Sequence, residues 1–166
     1  YDDDCDDDTN DLGASTCSNF YADRDDDGFG HETDAECRCE AEGVYTEADN
    51  DDCDDGSART FPGAAESESA SECRRDEDLD GYGDASPPAG VAAGDDCDDD
   101  DADRNPGVNE RCGTAYDDDC DSDTNDLGAD GCTTRYRDAD GDAYGLTLMT
   151  ECRCDPSGLY DTTASG

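Results

Sequence analysis

Apolar residues are sparse along this chain and follow no sustained order. No window keeps the 3.6-residue spacing of a helix, and Gly and Asp interrupt every stretch. Strand-like words are short: residues 18–22 (SNFYA), 133–137 (TTRYR) and 145–150 (GLTLMT). The pattern predicts little regular secondary structure: mostly loop, with a few very short β-strands. Residues 56–71, rich in Ser, Ala and Glu, and residues 85–94, which contain Ser86-Pro87-Pro88, read as exposed loops.

What order there is lies in a repeat. Residues 1–51 align with 116–166 without a gap, at a shift of 115, with 25 identities in 51 positions. Cys5, Cys17, Cys37 and Cys39 fall on Cys120, Cys132, Cys152 and Cys154. Residues 1–115 thus read as one unit, with half-units of about 1–72 and 73–115, and 116–166 as the start of the next. The expectation is a tandem array that continues on both sides, elongated or filamentous.

Composition explains why the apolar pattern is weak. The chain has 40 Asp, 11 Glu, 10 Arg and no Lys, for a formal net charge of −41. Leu, Val and Met total ten residues, and Ile and Trp are absent. Such charge resists compaction, and such an aliphatic content cannot build an ordinary core. Something else must supply stability. Bound cations are one candidate. The other is the 12 cysteines, an even number that fits disulfides in an oxidising, extracellular or cell-surface setting. The acidity argues against nucleic acid and anionic lipid. No apolar run reaches the length of a membrane span, and a secretory signal is expected upstream of residue 1.

The acidic residues are not randomly placed. Residues 76–83 read DEDLDGYG, with carboxylates first, third and fifth, glycine sixth and eighth, and an aromatic seventh. Alternate side chains of a tight loop converge on one point, and the seventh residue turns its carbonyl inward. Oxygen donors, several of them charged, select a hard cation such as Ca²⁺. The pattern recurs at 23–30 (DRDDDGFG) and 138–145 (DADGDAYG), and more loosely at 6–13 and 121–128. The ligands expected are Asp23, Asp25, Asp27 and the Phe29 carbonyl; Asp76, Asp78, Asp80 and the Tyr82 carbonyl; Asp138, Asp140, Asp142 and the Tyr144 carbonyl. The looser loops offer Asp6, Asp8, Asn10 and Leu12, and Asp121, Asp123, Asn125 and Leu127.

An EF-hand would carry a Glu at position twelve, where this chain has Asp34, Pro87 and Met149. The closing ligand is expected downstream: Glu36 and Glu151 at position fourteen, or Asp95 or Asp96 for the central loop. Two Asp-Cys-Asp-Asp words form a further pair. Asp52 and Asp54 precede Glu66, while Asp96, Asp98 and Asp100 precede Glu110, each Glu 14 residues after the first Asp. With seven such sites, bound divalent ions would bring −41 to roughly −27.

Other chemistry is poorly represented. Zinc needs Cys or His at short gaps, which are absent apart from two Cys-x-Cys pairs. His31, the single histidine, aligns with Leu146 and reads as a surface residue. Eight cysteines per unit allow 105 pairings, among which Cys5–Cys17 and Cys120–Cys132 are the expected local ones. No Ser or Cys has a recurring His base, and no apolar pocket would tune a carboxylate, so an enzyme is not expected. No Asn-x-Ser/Thr acceptor exists; O-linked glycans on Thr60, Ser67, Ser69, Ser71, Ser86 or Thr133 remain open on composition.

The order DxDxDGYG, DCDD, PGxxE, Cys, DxDC resembles the MopE-type metal-binding-motif repeats of bacterial secreted and surface proteins. It is carried here by residues 76–83, Asp96, Cys97, Asp98, Asp99, Pro106, Gly107, Glu110, Cys112 and 117–121. The acidic loops also resemble those of thrombospondin type 3 repeats, which wrap chain around Ca²⁺ with little secondary structure. Together the two resemblances span nearly the whole chain. The pattern departs at Cys112-Gly113, where the family has Cys-Asp-Gly, and after Glu66, where a Ser/Glu insert precedes Cys73. These resemblances imply a calcium-stabilised, disulfide-rich structural repeat that self-associates as a fibre, stalk or surface array. The alternative is a surface adhesin or copper-scavenging module, although soft and imidazole ligands are nearly absent.

Overall fold

The computed structural model describes residues 12–13 and 17–166. Among these there is no helix, and eight short strands carry the regular structure. They are β1 (Ser18–Ala22), β2 (Ala35–Arg38), β3 (Tyr45–Glu47), β4 (Thr60–Pro62), β5 (Cys73–Arg75), β6 (Thr133–Arg137), β7 (Leu146–Arg153) and β8 (Tyr160–Thr162). All pairings between strands are antiparallel. The chain divides into two compact units, Tyr1–Gly94 and Asp95–Gly166.

The first unit holds a three-stranded sheet of order β2-β1-β3 and the two-stranded β4-β5 ribbon. The second holds a three-stranded sheet of order β7-β6-β8. The two three-stranded sheets share an order, and β1 and β3 correspond to β6 and β8 at the 115-residue shift. β7 is longer than β2 and carries an irregularity: Tyr136 pairs with Thr150 but Arg137 pairs with Leu146. Leu148 and Met149 lie in the intervening stretch and are exposed.

Five disulfides staple these elements: Cys17–Cys37, Cys53–Cys73, Cys97–Cys120, Cys112–Cys154 and Cys132–Cys152. The expected Cys120–Cys132 bridge is replaced, and Cys17 does not pair with Cys5, which lies outside the described residues. The strand pairs bring these cysteines together diagonally. β1 faces β2 with Asn19 opposite Cys37, and β6 faces β7 with Thr134 opposite Cys152, so Cys17 and Cys132, two residues before Asn19 and Thr134, lie diagonally across from Cys37 and Cys152. Each closes a separation of 20 residues, a length at which a crosslink stabilises by about 3 kcal/mol.

The interior is not hydrophobic. Among the described residues the buried apolar side chains are Ala22, Ala65 and Ala129. The largest fully buried side chains are Glu110, Thr60, Asp76, Asp96 and Asp118. Residues 56–71 are more than an exposed loop: they contribute β4, the buried Thr60 and Ala65, and a Ser67 N–H that donates to the Gly81 carbonyl. Residues 85–94 carry no strand.

Candidate metal centres

The three DxDxD loops share one backbone. Positive φ occurs at the fourth and sixth positions of each: Asp26 and Gly28, Leu79 and Gly81, Gly141 and Ala143. The sixth residue of the third loop is therefore alanine in a left-handed conformation, with the glycine moved to position four. This backbone aims amide groups at the first carboxylate. Asp23 accepts from the N–H of Asp26 and Gly28 at 2.7 and 3.1 Å, Asp76 from Leu79 and Gly81 at 2.7 and 2.9 Å, and Asp138 from Gly141 and Ala143 at 2.7 and 2.8 Å. The fifth carboxylate accepts from the seventh N–H at 2.8 Å in all three, through Asp27, Asp80 and Asp142.

With the first and fifth aspartates so held, the remaining oxygens gather. One oxygen each from Asp23, Asp25 and Asp27 lies within 4.8 Å of the others, and the same holds for Asp76, Asp78 and Asp80. Both Asp25 oxygens and the Oδ2 atoms of Asp27 and Asp80 are buried and accept no hydrogen bond of ordinary geometry. Asp138 is buried in its loop, whereas Asp140 and Asp142 are exposed. The seventh side chains turn elsewhere: Leu12, Leu127 and Tyr144 are more than half exposed, and Phe29 stacks on Phe61 at 5.4 Å.

Asp52 joins the first loop. Its N–H donates to the Gly30 carbonyl at 3.1 Å, pairing His31 with Asp52 in a parallel bridge. Its Oδ1 accepts from Asp54 N–H, while Oδ2 is buried without a donor. Crowding shows in protonation. Burial first, then the charges of Asp25, Asp52 and Asp23, push the Asp27 carboxyl up to about 6. Asp25 and Asp52 are raised, each chiefly by burial. Asp54 is exposed, and Arg24 binds Asp34 and Asp55.

In the second unit the acidic loop begins four residues before the frame expected at Asp121. Positive φ falls at Cys120 and Ser122, the fourth and sixth positions counted from Asp117. Asp117 accepts from the N–H of Asp121 at 3.2 Å and Ser122 at 2.7 Å, and Asp121 from Asp123 N–H at 2.8 Å. Asp117, Asp119 and Asp121 therefore occupy the first, third and fifth places. Glu110 is brought to this loop: Glu110, Asp117 and Asp119 form one cluster, and Asp119, Asp121 and Asp126 another. Glu110 is raised by burial, and Asp126 is pushed to about 6, first by burial and then by Asp121, Asp119 and Asp123. Burial would likewise raise Asp118, yet the Thr114 hydroxyl, the Arg111 N–H and the Arg111 charge hold it below the ordinary range.

Several expected ligands have other engagements. Asn125 is hydrogen-bonded through both side-chain atoms to the backbone of Asp155. Asp123 accepts from Asn125 N–H. Glu36 and Glu151 lie on β2 and β7 and are paired with Arg38 and Arg153. Asp98 is paired with Arg104, and Asp100 is exposed. Asp96 is buried beside Cys97 and Cys120, whose sulfurs are joined in a disulfide and offer no thiolate. Glu66 is exposed and lies with Ser67 against Gly81. Asp6, Asp8 and Asn10 lie outside the described residues.

The arginines pair elsewhere. Among the described residues none is paired with Asp25, Asp27, Asp52, Asp80, Glu110 or Asp119. Buried charge without a partner is strongly unfavourable, so these clusters call for a positive ion or protons. The donors are all oxygen, which fits a hard divalent cation and not a soft one. No helix among the described residues is long and apolar enough to cross a membrane. Comparison with family models, with curated proteins and with solved structures finds no match to this chain.

Proposed function

We propose that the chain is a calcium-stabilised structural repeat of an extracellular fibre, stalk or surface array. One observation carries this reading: among the described residues the buried side chains are chiefly polar, inward oxygens of Asp25, Asp27, Asp52, Asp80, Glu110 and Asp119 lack donors, and the buried apolar side chains are three alanines. Calcium suits such sites because it accepts six to eight oxygen ligands in irregular geometry, including backbone carbonyls. Each ion would remove two charges of repulsion and fix a loop, so binding free energy becomes folding free energy. The five disulfides fit an oxidising compartment, and the sequence repeat with its matching sheets supports an array. The resemblance to MopE-type and thrombospondin type 3 repeats points the same way. The remaining negative charge would keep neighbouring assemblies apart and soluble.

Removal of calcium by excess EDTA is expected to expand the disulfide-intact chain and abolish its ordered circular dichroism, and re-addition of calcium to restore both. A hydrodynamic radius and spectrum indifferent to EDTA would falsify the reading. Elemental analysis of the purified chain would identify the metal directly.

A further inference from the structure

The two clusters of the second unit have one member in common, and the geometry points to a pair of adjacent cations bridged by Asp119. Glu110 and Asp117 complete one position, and Asp121 and Asp126 complete the other. This rests on the calcium reading above and goes beyond it, because it replaces isolated ions with a coupled pair.

Exposed carboxylates gather without ions, but Glu110 is not exposed. It is 2% exposed, and its Oε2 accepts the Asp118 N–H at 2.8 Å, which fixes the side chain across an eight-residue separation. Its Oε1 is buried without a hydrogen-bond partner, and Glu110 belongs to the cluster with Asp117 and Asp119. Burying a carboxylate oxygen so is strongly unfavourable unless a cation meets it. Asp119 Oδ1 is in the same position, buried and without a donor. A carboxylate has two oxygens and about four lone-pair sites, enough to serve two ions at once.

The chain holds the two sides together by other means. Asp117 takes two N–H groups from the turn that presents Asp121. The Asp130 N–H donates to the Glu110 carbonyl at 2.7 Å, tying the Glu110 segment to the stretch that follows Asp126. Cys120, between the bridging Asp119 and Asp121, is anchored to Cys97.

The test is calcium stoichiometry. The intact 166-residue chain, unaltered or carrying Asp119→Asn, Asp117→Asn or Asp121→Asn, would be equilibrated with calcium chloride and bound calcium counted per chain. Asp119→Asn is expected to lose two calcium ions, and each flanking variant one. Loss of one ion or none from Asp119→Asn would overturn the bridged pair while leaving the calcium reading intact. An unaltered chain that binds no calcium would overturn both. Should Asp119→Asn fail to fold, the unaltered chain loaded with a terbium and europium mixture gives a second readout. Adjacent ions would produce terbium-to-europium energy transfer, which the flanking variant Asp121→Asn would reduce. Absence of that transfer at this pair, judged by no change between the unaltered chain and Asp121→Asn, would equally overturn the proposal.

Discussion

Asp27 shows what burial among other carboxylates does to a single residue. Burial first, and then the neighbouring charges, push its carboxyl from the ordinary 3.8 up to about 6. Between those values the folded chain holds a proton that the unfolded chain has released. Stability of the cation-free form therefore rises as pH falls from 7 toward 5 and is lost as pH rises through 6. Asp25, Asp52, Asp76, Glu110 and Asp126 are shifted the same way. Asp34, lowered first by its bond to Arg24, and Asp118 and Asp138 are shifted oppositely, and they oppose further gain only below about 4. In EDTA, the ordered circular dichroism lost at pH 7 is expected to return in part as the pH is lowered to 5. In saturating calcium the thermal midpoint should fall over the same interval, because protons compete for the same oxygens. An ordered signal in EDTA that does not grow as the pH falls would mean that these carboxylates are not buried together. The residues of this effect were legible in the sequence at 23–27 and 76–80, where glycine punctuation leaves one register. They were not legible at 117–126, where the string DDDCDSDTND admits several frames of alternating acids. The deciding fact there is the left-handed backbone at Cys120 and Ser122, non-glycine residues that carry no advance signal.

At the level of the element, the acidic loop is a device that consumes its own amides. Two left-handed residues turn two N–H groups onto the first aspartate, and the loop keeps this form whether the second left-handed residue is Gly28, Gly81 or Ala143. A left-handed alanine costs about 1–2 kcal/mol, and glycine costs about 0.4–1 kcal/mol in unfolded-chain entropy. Ala143→Gly is thus expected to stabilise the calcium-loaded chain by about 0.5 kcal/mol. Gly81→Ala should destabilise it by about 1 kcal/mol or more, because the new Cβ would also stand 2.7 Å from Ser67 Oγ. Thermal midpoints that move in the same direction for both substitutions would contradict the shared loop backbone. The strands were only partly legible. β1 carries Phe20 and Tyr21 and β6 carries Tyr136, whereas β2 (AECR), β3 (YTE) and β8 (YDT) are short and polar. Disulfides and pairing to a central strand make them, and neither leaves a hydrophobic period to read. Spacing alone points to Glu36 and Glu151, and each sits two residues from an arginine on one strand face, which claims it.

For the molecule as a whole, the three buried alanines have a thermal consequence. The heat capacity of unfolding comes from apolar surface newly exposed to water, with polar surface contributing the opposite sign. An ordinary domain shows about 12–15 cal/mol/K per residue. A chain that hides carboxylates and alanine methyls uncovers little apolar area, so its heat-capacity increment per residue should fall well below that range. Calorimetry of the calcium-loaded chain across several pH values would measure it, and a value in the ordinary range would mean that a substantial apolar core exists. With a small increment the free-energy curve flattens. The fold would then hold nearly the same margin from near freezing to well above ambient temperature, free of the weakening in the cold that accompanies a greasy interior.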